Sequence, residues 1–534
     1  MAPDLVADVR HGATDIDVVV VGYGPVGMAT AALLGRYGHT VLVLERYPGL
    51  YQLPRAGVFD DETMRTWAAL GIAEELLPRM KSPRRYDFRN GADQQLIEFE
   101  CAEVGHSGWT EVYGFYQPDL ERALDQVCRG LPSVEVRHRA RVTAIAPDVD
   151  GLAVLAVDEP TGPTTVSARY VVACDGGNSF IRQALDIDQD DYGFGEAWLV
   201  CDFALRAEVD LPTVRQVCDP QQPTAIVSLG PTHHRFSFML DSEQDFEVQG
   251  RPENVWRKAA RYLGPDDAEL IRVGTYTFRS LVTRSWRRER VLLAGDAAHQ
   301  MPPFAGQGMC SGIRDAQNLA FKLDLVLRGR AQPELLDTYQ VEREPHVRAV
   351  TERGIELGRI QTQRDPRLAG ERDRRMLAAR AANPGPATLV RLPGLGEGFF
   401  ARCSAPGRGE LCVQGFVDGG AGRDRFDAVV GFGFRLLVAA ELIPGLRSGG
   451  TIAALDAVGV TTVGLGEYPG TEGSVVDLDG SYRRWFADHG CVAVAVRPDF
   501  YVYGTAADAP STDVLAGDLL GAIGAAASVP VTLA

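Results

Sequence analysis

Apolar residues in this chain fall in two patterns. Unbroken runs occur at IDVVVV (16–21), VLVLE (41–45), VVAC (171–174) and VLLAG (291–295). Such runs suit strands buried on both faces of a parallel sheet. The first passes through GYGPVG into MATAALLGRYG, which has helical composition, and the second run then completes a βαβ unit. The VVAC run leads to a helix expected to begin near Ser179, and the VLLAG run to a Pro/Gly loop and a long amphipathic helix. Between them, residues 186–286 alternate, as in WLVCDFAL from Trp198 and RFSFML from Arg235, which predicts an antiparallel sheet. Residues 81–108 are expected to add to that sheet, with Tyr86, Phe88 and the nearby Trp109 as core. A helix is predicted from Leu335 to about Ile360, and the Arg/Ala/Pro/Gly-rich stretch Arg364–Pro386 reads as a surface connection. Beyond it, FDAVVGFGFRLLVAA, SYRRWFADHG and CVAVAV predict a separate small α/β domain.

A length of 534 residues implies two or three such domains. The formal net charge of −17 argues against nucleic acid or an anionic membrane as partner. The nine cysteines include no CxxC and have no histidine at zinc spacing, so they read as small apolar filler and no metal is expected. The N-terminal MAPDLVADVRHGATD has no apolar core like that of a signal peptide, and no run approaches a membrane span. A cytoplasmic protein is expected.

The first turn carries chemistry. Gly22 permits a tight turn, Gly24 lets backbone approach a pyrophosphate, and Gly27 lets helix and strand pack closely, with Pro25 opening the helix. Amides at the helix start would face phosphates. Glu45, 18 residues after Gly27 and followed by Arg46, ends the second strand where it could accept from a ribose hydroxyl. This turn alone leaves open whether the dinucleotide is FAD or NAD.

Two further motifs bear on that choice: Asp175-Gly176 after the VVAC strand, and Gly295-Asp296 followed by AAHQMPPFAGQGM. A carboxylate at the end of a buried strand, Asp296, can accept from ribityl hydroxyls. Pro302, Pro303, Gly306 and Gly308 make a stiff loop without bulk, through which backbone can approach a flat ring, and Met309 opens the next helix. Asp175 also reads as a plain helix cap, and His299 as a structural histidine beside the cofactor wall.

With a GxGxxG, a DG and a GD motif in this order, residues 16 to about 365 resemble the group A FAD-dependent aromatic hydroxylases, the p-hydroxybenzoate hydroxylase-like superfamily. The stretches VACDGGNSFIR, RVLLAGDAAHQMPPFAGQG, LLDTYQVERE and RPDFYV are most similar to 3-(3-hydroxyphenyl)propionate hydroxylases. The tail resembles the thioredoxin-like C-terminal domain of these enzymes and of phenol hydroxylases, without its CxxC. The resemblance implies FAD, with NAD(P)H as a transient co-substrate and O₂, hydroxylating a small aromatic compound such as a phenolic acid through a C4a-hydroperoxyflavin. It also implies that Arg55 reaches the FAD phosphates, that Gln117 contacts the ribityl region, and that Asp175-Gly176 supports FAD and the approaching nicotinamide. Pro302, Pro303 and Phe304 are the expected pocket wall beside the flavin.

The expected fold class is therefore α/β. A Rossmann-like FAD-binding domain (15–80, 109–185 and 287–365) carries an inserted β-sheet substrate domain (81–108 and 186–286). A linker (366–388) leads to the thioredoxin-like domain (389–534), for which support of a homodimer is one reading. Three alternatives stay open: a natural-product tailoring monooxygenase performing hydroxylation, epoxidation or Baeyer–Villiger insertion, a non-catalytic Rossmann-type binding protein, and a plain NAD-dependent dehydrogenase.

Overall fold

The computed structural model describes residues 15–389, 391–402, 406–468 and 470–524. The N-terminal stretch read above and Cys403 fall mostly or wholly outside these residues. The continuous apolar runs form one sheet in the order Arg287–Arg288, Val291–Leu293, Tyr170–Ala173, Val18–Val21, Val41–Glu45, Val134–His138. All its pairings are parallel except that of the first strand. Val18, Val19 and Val20 are buried, as strands covered on both faces require. Helices Pro25–Arg36 and Gly308–Leu327 pack together in its core. A three-stranded antiparallel sheet, Arg141–Val149, Leu152–Glu159 and Gly162–Ala168, adjoins it.

The alternating region builds a nine-stranded sheet whose centre runs Ala268–Thr283, Gln189–Leu205, His233–Met239, Thr224–Ser228, Val214–Cys218. Strands Arg85–Asn90 and Gln95–Glu100 continue it, the former parallel to Val214–Cys218. Alternation separates its two faces. Leu199, Cys201, Phe203, Val217, Ile226, Phe236 and Phe238 form a core with Val255 and Ala259 of helix Pro252–Ala259. Their sequence neighbours point the other way.

The stretch 366–388, expected to be a linker, is ordered into elements of the sheet region. Helix Pro366–Ala382 occupies most of it, and strand Ala387–Thr388 pairs with the edge of the nine-stranded sheet. Buried Arg372 pins the helix by donating to the carbonyls of Cys218 and Ile360, both at 2.7 Å. Its other faces are charged, which is why its composition reads as surface chain.

The C-terminal region has its own seven-stranded mixed sheet, with Phe434–Ala439 between Val460–Gly466 and Ala493–Val496. Buried charges tie it to the rest of the chain. Arg65 donates to both carboxylate oxygens of Asp427, at 2.5 and 3.0 Å. Glu342 accepts from Arg497 and Asn318, each at 2.7 Å, and pairs with Lys322 at 2.9 Å. Burial alone would raise the Glu342 carboxyl; the Arg497 and Lys322 charges overcome it and hold the pKa at about 2. No described helix is long and apolar enough to cross a membrane.

Candidate active site

A cavity of about 550 Å³ lies between the parallel sheet's strand ends and the free face of the nine-stranded sheet. On the first side, backbone makes the wall. Helix Pro25–Arg36 starts at Gly24 with proline in its first turn. A Cβ on Gly22, whose φ is +100°, would meet the Cys174 carbonyl oxygen at 2.5 Å, and one on Gly27 would meet the Gly22 carbonyl oxygen at 2.1 Å. A Cβ on Gly24 would meet nothing within 4 Å. Gly22 and Gly27 thus serve the tightness of the turn, while Gly24 leaves its surface open to the cavity. Glu45 is fixed beside it, accepting from the amides of Tyr23 at 2.7 Å and Tyr47 at 2.8 Å.

The GD turn stands beside it, where a Cβ on Gly295 would lie 3.1 Å from Val26. Asp315, on helix Gly308–Leu327, accepts from the Gly295 amide at 3.0 Å and pairs with buried His299 at 2.6 Å and Arg343 at 3.0 Å. His299 is thus held within the wall. Asp296 itself is exposed and lines the cavity. The protein around it raises its carboxyl pKa, with the His299 and Arg55 charges acting against that rise. Asp175 lines the cavity: one oxygen accepts from the Ile181 amide at 3.1 Å, and the other is buried with no hydrogen-bond partner among the described residues. Burial raises its pKa against the helix amides that lower it. Gly176, at φ +83°, adds no side chain.

The loop after the GD turn approaches without bulk. Pro303–Ala305 is a 3₁₀ turn, and a Cβ on Gly306, at φ +66°, would meet Val58 at 2.5 Å. Gln307 then caps helix Gly308–Leu327, its side-chain oxygen held by Arg314 at 2.9 Å, and Arg314 also binds Glu62 at 2.7 Å and Asp60 at 2.5 Å.

The residues expected at the cofactor sort clearly. Gly22, Gly24, Pro25, Glu45, Arg46, Arg55, Gln117, Asp175, Gly176, Asp296, Pro303, Gly306, Gly308 and Met309 line the cavity, as does Phe304. Gly27 does not; it acts through the turn. Pro302, expected in the pocket wall, does not line the cavity either. It packs against the helix Thr338–Gln361, where a Cβ on Gly354 would stand 3.1 Å from its ring. The 3₁₀ turn starting one residue later turns Phe304 inward, against Trp198 and Phe194, each ring 5.8 Å away. Gln117 lines the cavity, but its amide is committed within the protein. It accepts from the Arg55 and Ala56 amides at 2.8 Å and donates to Glu121 at 2.6 Å, so it holds the Pro54–Ala56 loop. The Arg55 guanidinium lies over the Tyr51 ring at 4.5 Å and that of Arg46 over Tyr47 at 4.9 Å.

Sequence reasoning missed the opposite wall. Trp198, Val200, Gln216, Ala225, Val227, Arg235, Ser237, Arg272, Tyr276 and Phe278 come from five strands of the sheet. Arg235 and Arg272 flank buried Asp202, at 2.7 and 3.1 Å. Both also donate to the Pro54 carbonyl, and Arg235 donates to that of Arg55, so this cluster clamps the loop that Gln117 holds from behind. Alternation in each strand was the only signal; it gives a face but not a neighbour.

The open phosphate-type turn at Gly24, the half-free carboxylate of Asp175 and the exposed Asp296 fit a bound FAD. The FAD binding domain family matches residues 15–354, and the HcaD C-terminal domain family residues 409–519. A probable NADH-specific resorcinol 4-hydroxylase from Rhodococcus jostii (strain RHA1) is 50% identical over 524 residues, covering 97% of each chain. A 3-(3-hydroxy-phenyl)propionate/3-hydroxycinnamic acid hydroxylase from Mycobacterium sp. (strain JLS) is 33% identical, covering 92% of this chain and 89% of its own. The flavin-dependent monooxygenase PieE, solved with FAD and substrate, shares the fold at a TM-score of 0.80 and 23% identity, over 97% of this chain and 99% of that one. This chain belongs to the FAD-binding family of group A aromatic hydroxylases, enzymes that use NAD(P)H and O₂, and it carries their HcaD-type C-terminal domain.

Proposed function

We propose that this enzyme is an NADH-dependent resorcinol 4-hydroxylase. Resorcinol, NADH, a proton and O₂ would yield benzene-1,2,4-triol, NAD⁺ and water. The likeness to the Rhodococcus protein over 97% of both chains supports this reading. The observation that carries it is the way the cations of the sheet wall are paired. Its two buried cations, Arg235 and Arg272, are committed to Asp202 and to the loop carbonyls, and Arg279 is exposed. A phenylpropionate would bring a carboxylate to a wall with no uncommitted buried cation, at a desolvation cost that a neutral diol avoids.

Within this reading, the helix start at Gly24 and Pro25 and the Arg55 side chain would hold the FAD phosphates, Glu45 would take the adenosine ribose, and Asp296 the ribityl chain. The amides at Gly308 and Met309, at the start of a helix, would favour the negative charge that the ring gains on reduction. When bound, FAD accepts hydride from NADH and, with O₂, delivers one oxygen atom to the substrate ring. The protein keeps water from that oxygen with Val58, Trp198, Phe278 and Phe304, which line the cavity together. It also holds carbon 4 of the diol in place. That carbon lies ortho to one hydroxyl and para to the other, so both activate it. Action in the cytoplasm, and a homodimer supported by the C-terminal domain, complete the reading.

The test is NADH and NADPH oxidation by the FAD-loaded enzyme with resorcinol and with 3-(3-hydroxyphenyl)propionate, with products identified. Resorcinol should stimulate NADH oxidation and yield the triol. Stimulation by the phenylpropionate alone, or release of H₂O₂ in place of triol, would sink the assignment.

A further inference from the structure

The register of the nine-stranded sheet sets the polar groups of the substrate wall in rows. Gln216 pairs with Ala225, Ala225 with Ser237, Ser237 with Val200, and Val200 with Gly274. The first four of these line the cavity. One row away along the strands lie Val227, Arg235, Asp202 and Arg272, the clamp on the Pro54–Ala56 loop; on the other side lie Trp198 and Tyr276. The middle row is thus the low ground between a charged ridge and an aromatic one.

Most other polar groups on this wall are committed. The Tyr276 hydroxyl accepts from Arg272, Thr277 donates to Glu243, and Gln300 donates to the Gly177 carbonyl at 3.0 Å. Gln216 differs: the residue is 8% exposed, and its side-chain oxygen is buried with no hydrogen-bond partner among the described residues. A buried acceptor left unsatisfied is costly and rare in a finished site, so its partner is expected to arrive with a ligand. Ser237 stands two strands away, about 10 Å between backbones, with only the methyl group of Ala225 between them. Its hydroxyl can donate or accept.

We propose that Gln216 and Ser237 form the subsite for the second hydroxyl of the substrate. The Gln216 amide, turned to bring its oxygen to the cavity, accepts the phenolic O–H, and Ser237 donates to the phenolic oxygen. This inference rests on the resorcinol reading and deepens it. A hydroxyl fixed in this row orients the ring, so that of the activated carbons one alone faces the flavin side. Selection is then for a neutral meta-substituent able both to donate and to accept.

The experiment titrates the oxidised holoenzyme with resorcinol and with 3-methylphenol, reading the change in flavin absorbance, for wild type, Gln216→Leu and Ser237→Ala. Gln216→Leu should lower the preference for resorcinol over 3-methylphenol by about 10- to 100-fold. It should do so with unchanged FAD content, since a leucine suits the methyl group and leaves the hydroxyl unpaired. Ser237→Ala should shift the same ratio in the same direction by a smaller factor. An unchanged ratio, or equal loss for both ligands, overturns the subsite. A wild type that hydroxylates no resorcinol overturns the substrate reading instead. The subsite is then judged by the same ratio for catechol and hydroquinone against 2- and 4-methylphenol, and it falls if no diol binds more tightly than its methyl counterpart.

Discussion

On the side of the cavity proposed to hold FAD the wall is backbone, strand ends and glycines; on the side proposed to hold the substrate it is side chains standing on a sheet. Gly22, Gly24, Gly176, Gly306 and Gly308 all line the first; an added Cβ would meet backbone at Gly22, the Val58 side chain at Gly306, and open space at Gly24 and Gly176. The second presents Gln216, Ser237, Arg235, Arg272 and Tyr276. Backbone cannot be altered without altering the turn, so the cofactor side tolerates little variation. A side chain on a buttressed strand can be exchanged while the sheet persists. This is how one fold keeps a single cofactor and takes many substrates.

The sharpest break of that contrast is Gly27→Val. Its Cβ would stand 2.1 Å from the Gly22 carbonyl oxygen, which is backbone and cannot swing aside. The variant should yield no FAD-loaded protein, as read by flavin content after purification. Full flavin content would show that the turn is more yielding than its geometry states. The matching change on the sheet is Ala225→Phe, which fills the middle row. Turnover of resorcinol should fall by roughly a hundredfold or more with FAD retained, because the floor lies across the cavity from the Gly24 turn. Loss of flavin there would mean that the two sides are not separable.

The two sides also differ in how far the sequence discloses them. GYGPVG, DG and GD are contiguous in the chain, and each folds locally into a turn at the end of a buried strand, so residue order alone places them. The substrate row joins residues 200, 216, 225, 237 and 274, and its order is fixed by pairing register across five strands. Alternation announces a face, but which residue lies beside which depends on loop lengths and bulges that pattern does not encode. The same limit appears at short range. Pro302 and Phe304 sit two residues apart in one loop, and the 3₁₀ turn between them sends one to a helix and the other to the cavity. Gln117 could be placed near the cofactor by resemblance, yet the commitment of its amide to the Arg55 and Ala56 amides is a tertiary fact.

A change of intermediate size tests a side chain within the backbone-built half. Asp296→Ala removes the one carboxylate of the GD turn while leaving Gly295 anchored on Asp315. FAD affinity should fall by about 10- to 100-fold, measured by flavin release on dilution, and resorcinol binding to reconstituted enzyme should change far less. Wild-type retention would move the ribityl contact elsewhere.

The smallest expected effect lies where the two halves meet. Glu121 accepts from Gln117, which holds the loop clamped from the sheet side by Arg235 and Arg272. Burial pushes its carboxyl up to about 7, against the lowering by Gln117 and Arg55. The ordinary value is 4.5. Between these two values the folded protein keeps a proton that the unfolded chain has released. Stability contributed at this site therefore falls as pH rises from 4.5 towards 7, and the cost is constant above. Glu121→Gln removes the titration and still leaves an acceptor for Gln117. The variant should melt with the wild type near pH 4.5, then above it by a few degrees at neutral and alkaline pH. A difference in melting temperature that stays flat across that range would mean that the Glu121 carboxyl is ionised at little cost, and that the loop between cofactor and substrate is held by its hydrogen bonds alone.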